Sequence, residues 1–308
     1  MYNKLLEQIE RNHTIIIHRH KSPDGDAIGS QVGLKLLLKE TYPEKTILAV
    51  GDDAGRYSFV EGAVMDVVDD AVYSDALAIV LDTSAKHLIS DERYQTAKET
   101  ARIDHHLFVE TICQTEIVDT SFESCAGLVA NIAKTLNFKL TPLSAKALYT
   151  GMVTDSGRFR YDSTSSKTFL MASYLMETGF STTDIYTNLY ADDFKMIQLK
   201  AKFVLKINFT ENNVAYIFTT KEEVKEYGVS EFTISRGMVG TMAEIKGVNV
   251  WVNFTETENG VLAELRSSTK NVNQIAVKYG GGGHVKASGA CLKDFDQAKL
   301  MLEDLNAL

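Results

Sequence analysis

The chain has 308 residues, 44% hydrophobic and 24% charged, which excludes a disordered or fibrous protein and leaves room for two domains. Lys and Arg number 32 against 41 Asp and Glu, a net charge of −9, so neither a long nucleic acid nor an anionic membrane is an expected partner. The three cysteines, Cys113, Cys125 and Cys291, form no Cys-x-x-Cys pair, which argues against a disulfide framework or a cysteine zinc site and fits a reducing cytoplasm.

The opening MYNKLLEQIERNHT reads as a charged amphipathic helix, not a signal peptide, and no later stretch is apolar for long enough to span a bilayer. Thr14–His18 (TIIIH) is a β-branched run and reads as a buried strand. Ala27–Glu40 follows as a helix, with Ile28, Val32 and Leu36 recurring on one face. Thr46–Val50, Leu77–Leu81, Ala101–Ile103 and Glu116–Val118 supply further strands. Continuous apolar strands separated by helices predict βαβ units and a parallel sheet covered on both faces. Helices are then expected at Leu143–Val153, with Pro142 in the first turn, and at Lys167–Glu177, stopped by Gly179. Asp192–Lys206 is charged and reads as a helix bridging two domains. From about Asn213 the texture changes. Val214–Thr219, Val248–Phe254 and Val261–Leu265 alternate as half-exposed strands, with helices near Lys221–Tyr227, Asn273–Tyr279 and Asp294–Leu305. The boundaries read as a domain over 1–187, a helical linker over 188–212 and a smaller α/β domain over 213–308.

Four clusters carry chemistry. His20-Lys-Ser-Pro-Asp24-Gly-Asp26 lies just beyond the first strand, where open α/β sheets bind ligands. Its bland alternative is a polar loop with Asp26 capping the next helix. Asp82 follows the apolar strand Leu77–Leu81, and Asp104-His105-His106 follows Ala101–Ile103. Asp155, in GMVTDSGRFRY, closes a helix beside two arginines. Together His20, Asp24, Asp26, Asp82, His105 and Asp155 form a six-member N/O donor set without cysteine. Such a set suits two divalent ions sharing a carboxylate, with manganese as first choice. Ion pairs of this kind hydrolyse phosphate esters. A fifth feature, Gly280–Gly283 followed by His284, with Arg266-Ser267-Ser268 upstream, reads as an anion-binding turn of exposed backbone N–H groups.

Taken in order, the segments HKSPDGDAIGS (20–30), LDTS (81–84), IDHH (103–106), GMVTDSGRFRY (151–161), LRSS (265–268) and GGGGHVKASG (280–289) span nearly the whole chain. This set resembles the DHH phosphoesterase family, and within it the bacterial nano-RNA-degrading and pAp-phosphatase branch. The resemblance implies a parallel, Rossmann-like α/β domain, a smaller DHH-associated α/β substrate-binding domain, and an active site in the cleft between them. It implies two Mn²⁺ per chain, with His20 and Asp24 on one, Asp26, His105 and Asp155 on the other, and Asp82 bridging. Asp104 would sit behind the ligands and His106 would face the scissile phosphate. Arg266, Ser267, Gly282, Gly283 and His284 would clamp the far nucleotide or its terminal phosphate, with Arg158 a further substrate contact. The implied substrates are short RNA, dinucleotides such as pApA, and pAp; a homo-oligomer is compatible with this. Ser156 stands where the family often has Thr, and Arg236 falls in no recognised motif. Rival readings are a manganese pyrophosphatase, which lacks the GGGGH loop, a RecJ-type exonuclease, which needs a basic track, and a nucleotide-binding sensor with a silent catalytic site.

Overall fold

In the computed structural model, which describes residues 2–308, the chain divides into two units, one ending at Ala191 and the other starting at Asp192. The first runs α1 (Asn3–Arg11), β1 (Thr14–His18), α2 (Gly25–Thr41), β2 (Thr46–Ala49), the single turn α3 (Asp70–Tyr73), β3 (Ala76–Leu81), β4 (Glu99–Asp104), β5 (Thr115–Val118), α4 (Cys125–Thr135), α5 (Pro142–Asp155), α6 (Ser166–Met176) and α7 (Thr182–Tyr190). Its five strands are all parallel, in the order β2-β1-β3-β4-β5. Every residue of β3 is buried, as expected of a central strand covered on both faces. The chain leaves β1 for β2 on one side and returns to β3 on the other. The carboxyl ends of β1 and β3 therefore flank the switch point, where such sheets bind ligands.

Small residues decide how the helices meet above that point. Gly25, Gly29 and Gly33 recur every fourth position on the face of α2 that meets α5. A Cβ on Gly29 would lie 2.6 Å from the Ala147 carbonyl oxygen, and one on Gly151 would lie 2.7 Å from Asp26 Oδ1. Only hydrogen fits at these contacts. The two helix backbones approach closely, and Asp155 at the end of α5 is brought to the first turn of α2. A capping box between Thr141 and Ser144, with Pro142 in the first turn, starts α5 as the sequence predicts. Helices α4 and α7 lie outside the predicted segments. Helix α4 buries most of its length and leaves only a narrow polar edge at Asn131, Lys134 and Thr135.

The second unit runs α8 (Phe194–Leu205), β6 (Asn208–Phe209), β7 (Ala215–Thr219), α9 (Lys221–Tyr227), a π-helical turn (Thr233–Gly237), β8 (Val250–Thr257), β9 (Gly260–Ser267), α10 (Asn273–Lys278), β10 (Gly282–His284), β11 (Ala287–Leu292) and α11 (Phe295–Asn306). Its six strands follow the order β10-β11-β9-β8-β7-β6. Only the β7–β8 pair is parallel. One face of the sheet buries Val252, Phe254 and Leu265 under α10 and α11, with Met301 and Leu305 in the same core. The other face carries Ile217 and Trp251, packed with Phe203, Ile234 and Met238. Helix α8 differs from the solvated bridge expected at Asp192–Lys206. Its Leu199 and Phe203, four residues apart, are buried in the second unit's core, so it is a packed element of that unit.

Candidate metal centre

Six side chains of the first unit converge at the carboxyl ends of β1, β3 and β4. His20 follows β1, Asp82 follows β3, His105 follows β4, Asp24 and Asp26 open α2, and Asp155 closes α5. Potential ligand atoms of His20, Asp24 and Asp82 lie within 4.8 Å of one another, and so do those of Asp26, His105 and Asp155. Asp82 stands between the groups. Its Oδ2 is 3.6 Å from His20 Nε2 and its Oδ1 is 3.5 Å from His105 Nε2. The Asp82 backbone has φ +50°, in the left-handed region that Asp tolerates better than most residues.

Both imidazoles are oriented through their second nitrogen. His20 Nδ1 lies 2.9 Å from the Lys21 carbonyl oxygen and His105 Nδ1 lies 3.4 Å from that of Phe122. Donation to those carbonyls places the proton on Nδ1 and turns each Nε2 lone pair toward the carboxylates, the arrangement of a metal-binding histidine. The bland alternative for Asp26 is corrected by the structure: Asp24, not Asp26, caps α2, accepting from the N–H groups of Asp26 and Ala27 at 3.0 Å each. Asp26, almost fully buried, instead accepts from Cys125 N at 2.7 Å and Ala126 N at 2.9 Å. It anchors the N-terminus of α4, whose dipole favours its charge. This bond spans about a hundred residues, and no local signal announces it.

Packing four carboxylates together sets the protonation of the metal-free site. Burial, with the charges of Asp82 and Asp155, pushes Asp26 well above the usual carboxylate range. Burial lifts Asp155 to about 6. Burial opposes protonation of His20, but Asp24 and Asp82 outweigh it and raise the imidazole to about 10. His105 is likewise raised to about 10, its burial outweighed by Asp82 and Asp26. Asp82 is held low despite burial, because His105 and His20 face it. The site therefore holds protons where cations would sit. Asp82 Oδ1 is buried and has no hydrogen-bond partner among the described residues. A fully buried carboxylate oxygen left so is costly, and a cation between the two groups would satisfy it. The all-N/O donor set fits hard or borderline divalent ions.

Behind the cluster, Asp104 Oδ1 lies 2.7 Å from His106 Nδ1, and Asp104 Oδ2 accepts from Arg102 Nη2. Arg102 is fully buried and also donates to the Glu110 carbonyl at 3.0 Å and to Glu116 Oε2 at 3.2 Å. The hydrogen bond to Asp104 raises the pKa of His106 against its burial. Sequence reasoning missed Arg102. Its signal was present, as a lone cation in an otherwise buried strand, two residues before Asp104 and so on the same face.

The remaining sequence-predicted residues separate. Arg158 is exposed, has φ +65°, and stacks over Tyr190 with its guanidinium carbon 4.7 Å from the ring centre. In the second unit, strand pairing puts Arg266, Ala287 and His284 on one face, and Glu264, Gly289 and Gly282 on the same face. Gly283 pairs with Ser288 and Leu265 on the opposite, core-facing side, and a Cβ there would lie 2.6 Å from the Ala287 carbonyl oxygen. Ser267 also departs from the clamp expectation. Its hydroxyl donates to the Asn249 carbonyl at 2.8 Å and accepts from Thr269 N and Lys270 N, which closes a turn. The glycine run is not a row of free N–H groups either. Gly280 N and Gly281 N donate to Val277 and Ala276 at the end of α10, and Gly282 enters β10.

Residues 14–152 match the family model for the DHH family, N-terminal domain, and residues 231–308 match that for the DHHA1 domain. The bifunctional oligoribonuclease and PAP phosphatase NrnA of Bacillus subtilis is 36% identical over 311 positions, covering 100% of this chain and 98% of that protein. The cyclic-di-AMP phosphodiesterase GdpP of Geobacillus thermodenitrificans is 26% identical, over 94% of this chain and 46% of that protein. Among solved structures, an exopolyphosphatase-related protein from Bacteroides fragilis superposes with a TM-score of 0.86 at 27% identity, covering 99% of this chain and 95% of that one. No helix among the described residues is long and apolar enough to cross a membrane.

Proposed function

The chain belongs to the DHH family of phosphoesterases, and on that premise we propose that it is a two-manganese phosphodiesterase. Its substrates would be short ribonucleotides such as pApA, cleaved to 5′-mononucleotides, with 3′-phosphatase activity on pAp. The observation that carries the reading is Asp82, whose two carboxylate oxygens face two separate histidine–aspartate groups. The full-length likeness to the Bacillus subtilis protein supports the substrate class. His20 and Asp24 would hold one ion, Asp26, His105 and Asp155 the other, and Asp82 both. Four aspartates match the charge of two divalent cations. When bound, such a pair activates the attacking water and polarises the phosphoryl oxygens.

The chain's own residues supply the rest. His106 donates from Nδ1 to the Asp104 carboxylate, which against its burial is held below the usual range by His106 and by buried Arg102, and Arg102 also fixes it in place. Its Nε2 is left to carry a proton toward substrate. The side chain is 46% exposed, so a phosphate can reach it. Protonated there, it can donate to a phosphoryl oxygen or to the departing 3′-oxygen. Arg266 and His284 of the second unit would contribute contacts to the far nucleotide. The complete donor set disfavours the silent-sensor reading. Comparison of kcat/KM for pApA, a longer oligoribonucleotide, pAp and cyclic-di-AMP with added Mn²⁺ tests the proposal. Preference for the short linear substrates supports it; turnover of cyclic-di-AMP alone, or of none, overturns it.

A further inference from the structure

Arg236, which no motif explained, sits in the π-helical turn Thr233–Gly237, a backbone form found disproportionately at functional sites. Two cross-strand neighbours hold this turn on the sheet. Fully buried Asn253 on β8 donates from Nδ2 to the Ile234 carbonyl at 2.7 Å and to that of Ser235 at 2.9 Å. Its partner across the β8–β9 pairing is Glu264. Glu264 Oε1 accepts from Arg236 Nε at 3.1 Å, while its Oε2 accepts from Arg266 Nη1 at 3.1 Å. One carboxylate, 12% exposed, thus grips two guanidinium groups. The bridge leaves a net positive charge. Neither Nη group of Arg236 donates to a protein acceptor among the described residues. A guanidinium has five donors, and only one of these is spent.

The same face of the sheet carries an unexplained bareness. Gly289 pairs with Glu264, and Gly282 with Gly289, so the three share that face. A Cβ on Gly282 would meet nothing within 4 Å, and one on Gly289 would meet only ordinary van der Waals contacts. Neither has the positive φ that favours glycine. Packing does not demand glycine at these two positions. Their effect is to leave the sheet open beside the arginine pair, where a ligand can lie against backbone.

We infer that Arg236 is a second phosphate-binding cation, coupled to Arg266 through Glu264, and that the pair selects substrates ending in a phosphate monoester. A terminal monoester presents three oxygens and up to two negative charges, enough for two guanidinium forks. A chain ending in a hydroxyl offers this pair nothing equivalent. The inference rests on the reading of the chain as an enzyme of short ribonucleotides.

Binding of pApA and of ApA to the full chain, measured by calorimetry at pH 8 in chelator, tests it alongside turnover of both with Mn²⁺. The wild type should bind pApA more tightly than ApA. Arg236→Met should weaken pApA binding roughly ten- to hundredfold and leave ApA within about twofold. Arg236→Lys, which keeps the charge but not the fork, should fall between. Equal losses on the two ligands, no loss on pApA, or no preference in the wild type would overturn the inference. If the wild type discriminates the ligands in binding but turns over neither, the nuclease reading falls and the role of Arg236 stands.

Discussion

Replacing Arg102 with methionine removes the cation that Asp104 depends on. The pair is fully buried on both sides, and the guanidinium also serves the Glu110 carbonyl and Glu116. Methionine fills much of the volume but donates nothing, so Asp104 is left as a buried charge with His106 as its one remaining charged partner. Breaking one side of a buried pair costs about 3–5 kcal/mol. In a unit of this size that lowers the melting temperature by roughly 6–20 °C. Asp104 also orients His106, and loss of such a supporting contact lowers turnover about ten- to hundredfold. Far-UV circular dichroism melts and kcat on pApA read the two effects. Adding Asp104→Leu to Arg102→Met removes the orphaned charge, and part of the stability should return while activity does not. His106→Asn should show the complementary pattern, with kcat reduced and the melt near wild type. A melt within about 2 °C of wild type for Arg102→Met, with unchanged kcat, would show that Asp104 does not depend on Arg102.

Asp82→Asn should keep the fold, since Asn tolerates the left-handed backbone at this position, yet lose nearly all turnover; substantial activity with two ions bound would count against the bridging role. Manganese binding should release protons, because His20 and His105 are raised to about 10 and Asp155 to about 6 in the metal-free protein. Affinity should accordingly strengthen as pH rises from about 6, and calorimetry in buffers of different ionisation enthalpy would show buffer-dependent heats; identical heats would contradict it. Buried His18 is lowered to about 4, with burial as the main cause against the pull of Asp91. The unfolded chain protonates first, so about 3 kcal/mol of stability should be lost as pH falls from 6.5 to 4 and no more below that. His18→Gln should flatten this part of the pH–stability curve in urea titrations, and an unchanged slope would exclude His18 as its source.

The convergence of the six candidate donors was legible because these residues punctuate local structure. His20, Asp82 and His105 each follow a strand whose apolar run ends abruptly, and a parallel sheet aims such positions at one crevice. What could not be read is whatever depends on a distant partner. Asp26 looks like a cap for its own helix, and only the fold shows it holding α4. Helix α8 is charged enough to pass for a solvated bridge, yet two apolar residues four apart suffice to bury one side. Ser267 stands beside Arg266 in sequence but points to the other face of β9, as alternation along a strand requires. The glycine run mixed two roles: Gly281 and Gly283 are needed for close backbone contacts, whereas Gly282 leaves space. Arg236 and Glu264 are 28 residues apart, and their pairing is visible only across the sheet.

Two ions sharing Asp82 would be visible directly by anomalous diffraction at the manganese edge, on crystals grown with saturating Mn²⁺. Two peaks per chain are expected, about 3.5–4 Å apart, one beside His20 and Asp24, the other beside Asp26, His105 and Asp155, both in contact with Asp82. A single peak in fully active protein, or two peaks that do not share Asp82, would contradict the bridging role.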